Sequence, residues 1–227
     1  MQSSHSGVAH NSCFPAFYPI IDTSVALSAG ITSESVAKAL VRAGVRVAQF
    51  RHKGNYDSEI IHLAEKVGNI LHEFNALYIV NDRPDVALCV GADGVHVGQD
   101  DLPPVAVRTV FEALPIQKTM TIGLSVHNEQ QLRQADLAPL DYLAIGPIFT
   151  TNSKRNPDPT IGLEELHRLR ALTSKHVVAI GGITRENARE VFAAGADSVA
   201  VISDFISSDI DDRLSEWSRV VKFSTAS

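Results

Sequence analysis

The sequence predicts one α/β domain folded as a closed (β/α)8 barrel, a TIM barrel, over residues 15–222, and three observations predict it. Short apolar runs alternate with amphipathic helical stretches along the chain, which leaves a closed barrel or a doubly wound open sheet as the choices. A short pattern then recurs. Ala43-Gly44-Val45-Arg46-Val47, Val90-Gly91-Ala92-Asp93-Gly94 and Ala194-Gly195-Ala196-Asp197-Ser198 each read as a helix stop with glycine, a small residue, a polar residue and a strand. Read as two and four units apart, these glycines give a unit of roughly 25 residues, a workable length for one strand–helix pair of an eight-unit barrel. Finally, neither G-x-G-x-x-G nor G-x-x-x-x-G-K-[ST] occurs, which removes the usual signatures of open-sheet nucleotide binders.

The elements follow from local signals. Residues 17–21 are the first strand, and Thr32 or Ser33 caps a helix that stops at Gly44. A strand at 45–50 runs into Arg51-His52-Lys53-Gly54. A helix over 57–74 carries apolar residues at helical spacing, and residues 77–80 form the third strand. Pro84 opens a short helix, where its missing N–H costs nothing, and Gly91 ends it. Strands are expected at 94–97, 119–123, 141–145, 176–180 and 197–201, and helices at 103–114, 128–138, 162–172, 184–194 and 210–220. Within the longest loop, 146–161, the segment 150–161 holds Pro157 and Pro159 and is a candidate lid.

Composition narrows the function classes. The chain has 227 residues, is 44% hydrophobic and carries a net charge of −6, so it builds a large core and lacks a bulk electrostatic footprint for nucleic acid. Any bound anion must be met by local cations or a metal. Cys13 and Cys89 are the only cysteines, which suits a cytoplasmic protein without disulfides. Residues 1–14 are polar and expected to be a disordered tail, as are 223–227 at the other end. No apolar run reaches the length of a membrane span. Nothing in the sequence gives an oligomeric state.

In such a barrel the active site lies at the carboxyl ends of the strands. Those ends hold Gln49, Arg51 and Lys53; Asn81 and Asp82; Asp101; Ser125 and His127; Thr151, Ser153 and Lys154; Gly181 and Gly182; and Ser203. The opposite loops carry mostly Gly, Ala, Pro and Asn. Gln49, Arg51 and Lys53 alternate, so they point one way in extended backbone and can meet an anion. Asp82 and Asp101 end neighbouring strands and suit magnesium, which keeps waters and is completed by substrate phosphates; the alternative for Asp101 is to cap the next helix. Gly181-Gly182 and Ser203 fit the frequent phosphate site after the last two strands, built of backbone N–H groups and a helix start. Two anion sites on one rim suggest two phosphorylated substrates, or one substrate phosphorylated at both ends. His96, between Val95 and Val97, is expected to point into the barrel as a hydrogen-bonded core group.

Taken in order, Q-F-R-x-K at 49–53, N-D-R at 81–83, G-V-H-V-G-Q-D-D at 94–101, G-x-S-x-H at 123–127, G-P-I-F-x-T-x-S-K at 146–154 and I-G-G-I-T at 180–184 resemble the thiamine phosphate synthase family, over about residues 18–203. The resemblance implies a transferase for two small molecules. It joins a hydroxymethylpyrimidine diphosphate to a thiazole phosphate and releases diphosphate. It also implies that Gln49, Arg51, Lys53 and Asn81 hold the pyrimidine diphosphate, that Asp82 and Asp101 carry Mg2+, and that Ser125 and Lys154 contact the diphosphate. Thr151, Ser153, Gly182, Ile202 and Ser203 would bind the thiazole or its phosphate. Magnesium with Arg51, Lys53 and Lys154 would stabilise charge on the leaving group. The family mechanism is dissociative and needs no side-chain nucleophile.

Three positions depart from the commonest pattern. His52 stands where an acid is frequent, Ser153 replaces a threonine, and Asp204 adds negative charge beside the expected thiazole phosphate. Two rivals share the architecture. A thiazole tautomerase would use a histidine where His127 stands but has no need of Arg51, Lys53, Asp82 and Asp101 as a set. A non-catalytic pathway sensor should have lost some leaving-group residues, and none is missing.

Overall fold

The chain closes into a parallel barrel of eight strands in sequence order, β1-β2-β3-β4-β5-β6-β7-β8, in a computed structural model that describes residues 14–113, 119–151 and 159–224. The strands are β1 (Phe17–Asp22), β2 (Val47–Arg51), β3 (Leu77–Asn81), β4 (Gly94–Val97), β5 (Thr121–Val126), β6 (Tyr142–Ile145), β7 (His176–Ile180) and β8 (Ser198–Val201). β8 pairs back onto β1, with Phe17 opposite Val199, so no strand edge is left open.

Helices return the chain between strands. Thr32 caps α2 (Ser33–Arg42) by accepting from the Ser35 N–H, and Asp57 caps α3 (Ser58–Glu73). Pro84 opens α4 (Pro84–Cys89), and α5 (Pro104–Glu112) starts behind Pro103. Asn128 caps α6 (Glu129–Asp136), α7 is Gly162–Arg170 and α9 is Ile210–Ser224. A short helix that the sequence reading missed, α1 (Thr23–Ser28), is capped by Asp22, which accepts from the Ser24 and Val25 N–H groups.

Two boundaries differ from expectation for identifiable reasons. β5 was expected to end at Gly123, yet it continues to Val126. Gly123 does not break the strand; it makes room, because a Cβ there would lie 2.1 Å from Cζ of Tyr142. The helix expected at 184–194 begins only at α8 (Ala188–Ala193). Asn187 accepts from the Thr184 N–H and donates to the Gly182 carbonyl, which holds the preceding residues in turns.

Strand alternation sorts the core into two layers. One parity points outward under the helices: Phe17 stacks on Trp217 of α9 with ring centroids 4.8 Å apart, and both are buried. Each such large side chain stabilises the fold by roughly 2–3 kcal/mol. The other parity points inward: Tyr18, Ile20, Val47, Ile79, Tyr142, Ala144, Val178 and Ala200 fill the barrel. Phe14, one residue before the expected start of the domain, plugs its floor against Tyr18, Tyr142 and His176. Above this apolar plug the inward positions turn polar, with Gln49, Arg51, Asn81, His96 and Ser125, and there a cavity opens.

Candidate active site

The cavity has a volume of about 510 Å³ and sits at the carboxyl ends of the strands. Eleven sequence-derived site residues line it: Gln49, Arg51, Lys53, Asn81, Asp82, Asp101, Ser125, Thr151, Gly182, Ile202 and Ser203. Ser153 and Lys154 lie outside the described residues. His127 also lines the cavity, with Nδ1 2.5 Å from the Gly146 carbonyl.

On the β1–β4 side, Gln49 and Arg51 are buried on the inward face of β2. Arg51 donates to the Asp22 carboxylate, a buried ion pair that fixes the guanidinium at the cavity wall. Asp22 is a site-forming residue the sequence reading did not single out. Burial works against its charge, but the Ser24 hydroxyl, Arg51 and the Val25 N–H outweigh that and hold its pKa below the ordinary carboxylate value. Asn81 is buried too, and its Nδ2 has no hydrogen-bond partner among the described residues. A buried donor left unmade costs about 1–3 kcal/mol, so a ligand acceptor at this wall would recover it.

Asp82 follows directly on β3 in left-handed backbone, φ +64°, with its N–H bonded to the His96 carbonyl at 2.7 Å. Its carboxylate accepts from Lys53 Nζ at 2.5 Å. Asp101 does not cap α5: it turns back to accept from the Gly98 N–H at 2.7 Å, while Pro103 holds the cap position without a side-chain bond. Burial and the neighbouring Asp82 carboxylate push Asp101 above its ordinary pKa, against the Gly98 N–H and Lys53. The Asp82 and Asp101 carboxylates are oxygen donors of the kind a hard cation takes, and a cation bound there would compete with Lys53 for Asp82. Among the described residues no group of three or more His, Cys, Asp or Glu side chains could hold a metal ion. A cation here would therefore have two protein carboxylates and complete its shell with water and substrate oxygens, as magnesium does.

On the β6–β8 side the two glycines line the cavity and also answer a packing need. Gly181 and Gly182 have φ +101° and +62°, and a Cβ would lie 2.5 Å from Pro147 Cβ and 2.5 Å from the Thr150 carbonyl oxygen respectively. They are needed for the loop after β6 to pack against β7, where Ile148 and Phe149 donate to the Ile180 and Gly181 carbonyls. No helix starts beside them, since α8 begins at Ala188. Asp204 points away from Ser203 and the cavity: it accepts from Arg185 Nε and Trp217 Nε1, both at 2.9 Å. The charge expected to weaken phosphate binding is thus neutralised by Arg185.

Beneath the cavity runs a hydrogen-bonded chain of side chains. Gln49 Nε2 donates to Tyr18 Oη at 2.9 Å, Tyr18 Oη lies 2.9 Å from Tyr142 Oη, and Tyr142 Oη lies 3.0 Å from His96 Nδ1. His96 Nε2 lies 2.9 Å from Ser125 Oγ. His96 is the inward, hydrogen-bonded group the alternation predicted. The two tyrosines, by contrast, carried no sequence signal beyond apolar strand residues.

Comparison with known proteins adds four findings. A family model described as thiamine monophosphate synthase matches residues 17–205. The thiamine-phosphate synthase of Koribacter versatilis (strain Ellin345) is 50% identical over 185 residues, 82% of this chain and 84% of that one. The thiamine-phosphate synthase of Archaeoglobus fulgidus is 40% identical over 184 residues, 81% of this chain and 84% of that one. Among solved structures, a thiamine phosphate pyrophosphorylase from Pyrococcus furiosus superposes with a TM-score of 0.79 at 32% identity, covering 92% of this chain and 96% of that one.

Proposed function

The chain belongs to the thiamine monophosphate synthase family, and from that premise we propose that it joins 4-amino-2-methyl-5-(hydroxymethyl)pyrimidine diphosphate to 4-methyl-5-(2-hydroxyethyl)thiazole phosphate. The products are thiamine phosphate and diphosphate. The observation that carries the reading is that one cavity gathers the Arg51 and Lys53 cations, the Asp82 and Asp101 carboxylates and the unpartnered Asn81 amide.

Each residue has a part in that reaction. Arg51, braced by Asp22, and Lys53 bind the diphosphate, and Asn81 Nδ2 donates to the same substrate. Gln49 and Ser125 orient it from the inner wall. Asp82 and Asp101 would hold Mg2+, which supplies positive charge against the diphosphate oxygens when bound. The bond between the methylene carbon and the diphosphate oxygen breaks, and the electron pair leaves with diphosphate. The electron-rich aminopyrimidine carries the cationic methylene, and the thiazole nitrogen lone pair forms the new C–N bond. No proton has to move and no side chain becomes covalently attached. Thr151, Gly182, Ile202 and Ser203 take the thiazole phosphate on the β6–β8 side, with Ser153 assigned there, and Lys154 to the diphosphate, by the family pattern. We place the reaction in the cytoplasm; among the described residues no helix is long and apolar enough to cross a membrane.

The test is an assay of pure protein with both substrates and Mg2+. Diphosphate should appear only when both substrates and the metal are present. No thiamine phosphate under those conditions would overturn the reading.

A further inference from the structure

We infer that the chain Gln49–Tyr18–Tyr142–His96–Ser125 is polarised in one direction, so that His96 and Tyr142 are positioning residues that aim the Ser125 hydroxyl proton at the leaving diphosphate. The target of that proton rests on the reaction proposed above; the polarity itself rests on the hydrogen-bond geometry and on the Gln49 amide nitrogen facing Tyr18. Gln49 Nε2 can only donate, so Tyr18 Oη accepts from it and must turn its own proton to Tyr142 Oη. Tyr142 then donates to His96 Nδ1. A Nδ1 that accepts leaves the proton of a neutral imidazole on Nε2, which donates to Ser125 Oγ. With its oxygen accepting from His96, Ser125 directs its proton elsewhere, and the group lines the cavity.

The reverse direction fails at its far end. If Ser125 donated to His96, the Nδ1–H would donate to Tyr142, and Tyr142 to Tyr18. Tyr18 would then receive two donors and keep a buried proton of its own to place. An imidazolium at His96 imposes the same reversal at Tyr142. Burial raises both phenols, Tyr18 and Tyr142, above the ordinary tyrosine value, so both remain proton donors and neither serves as a base. Gly123 belongs to the same device, because its missing Cβ is what lets the Tyr142 ring reach His96.

Two measurements test this. Long-range 1H–15N correlation spectra of histidine-labelled protein, with His96 assigned through His96→Gln, should show the neutral Nε2–H tautomer at neutral pH. A Nδ1–H tautomer or an imidazolium would overturn the polarity, and this arm needs no activity. Kinetically, Tyr142→Phe should lower kcat by about tenfold, the worth of one oriented hydrogen bond, with little change in KM for the pyrimidine diphosphate. In a Ser125→Ala background the same change should cost nothing further. Additive losses would show that Tyr142 does not act through Ser125 and would overturn the positioning role. A wild-type protein with the Nε2–H tautomer and no synthase activity would instead sink the proposed reaction and leave the polarity standing.

Discussion

Asp22 and Arg51 are register partners on the adjacent strands β1 and β2, and their side chains close a buried ion pair at the top of the barrel. Asp22 also caps α1, so one carboxylate both starts a helix and braces a cavity-facing guanidinium. Asp22→Asn separates these roles, since asparagine caps as well as aspartate. Removing one partner of a buried pair leaves an uncompensated charge, so this variant should lose about 3 kcal/mol of stability in chemical denaturation. It should also raise KM for the pyrimidine diphosphate roughly tenfold, by freeing Arg51. An unchanged KM would show that Arg51 holds its place without Asp22.

Asp82→Asn keeps a residue type that tolerates left-handed backbone but removes the carboxylate beside Lys53 and Asp101. Turnover should fall by about a hundredfold or more, the usual cost of deleting one electrostatic stabiliser. Circular dichroism should show an intact barrel. Activity near that of the wild type would make the metal assignment to Asp82 wrong.

Ser203 lines the cavity after β8, and Asp204 next to it is tied to Arg185 and Trp217. Ser203→Ala should raise KM for the thiazole phosphate by about tenfold, one hydrogen bond's worth, and leave the pyrimidine diphosphate little affected. Steady-state kinetics with each substrate varied in turn decide this. A change confined to the pyrimidine substrate would reverse the assignment of the two anion sites.

His176 sits half-buried at the barrel floor, with Nε2 2.7 Å from Ser198 Oγ and Phe14 against its ring. Burial lowers its pKa from 6.5, with Asp197 opposing and Arg170 adding to the shift. The unfolded chain therefore takes up this proton before the folded one does. Stability from His176 is complete above about pH 6.5 and is lost as pH falls towards the lower folded value. Denaturation of wild type and His176→Gln across this range should show a shallower decline in the variant. Parallel curves would remove His176 as the source.

The barrel was legible because its signals are local. Capping residues such as Thr32, Asp57 and Asn128, stop glycines and alternating strands each act over a few residues. Cavity-lining residues were legible where they follow strands as runs, as at Gln49 to Lys53 and Asn81-Asp82. Asp22 was not, because its meaning comes from register with Arg51, which spacing along the chain does not carry. Tyr18 and Tyr142 were hidden for a similar reason. A strand tyrosine reads as core, and only barrel closure brings two hydroxyls 124 positions apart within 2.9 Å. Gly123 was read as the end of its strand because a glycine required by a neighbour's bulk looks, in sequence, like a turn, and the packing need at Gly181-Gly182 was hidden in the same way.

If Asp82 holds the proposed metal, its left-handed backbone sets folding and turnover against each other at a single position. Glycine would adopt that conformation without the roughly 1 kcal/mol or more that an L side chain concedes there. Selection for a tougher barrel alone would therefore drift towards Asp82→Gly, and would erase a carboxylate of the proposed metal site in doing so. Thermostable descendants of this protein have to gain their stability away from the rim, in the helical shell around Trp217 or at the floor around Phe14.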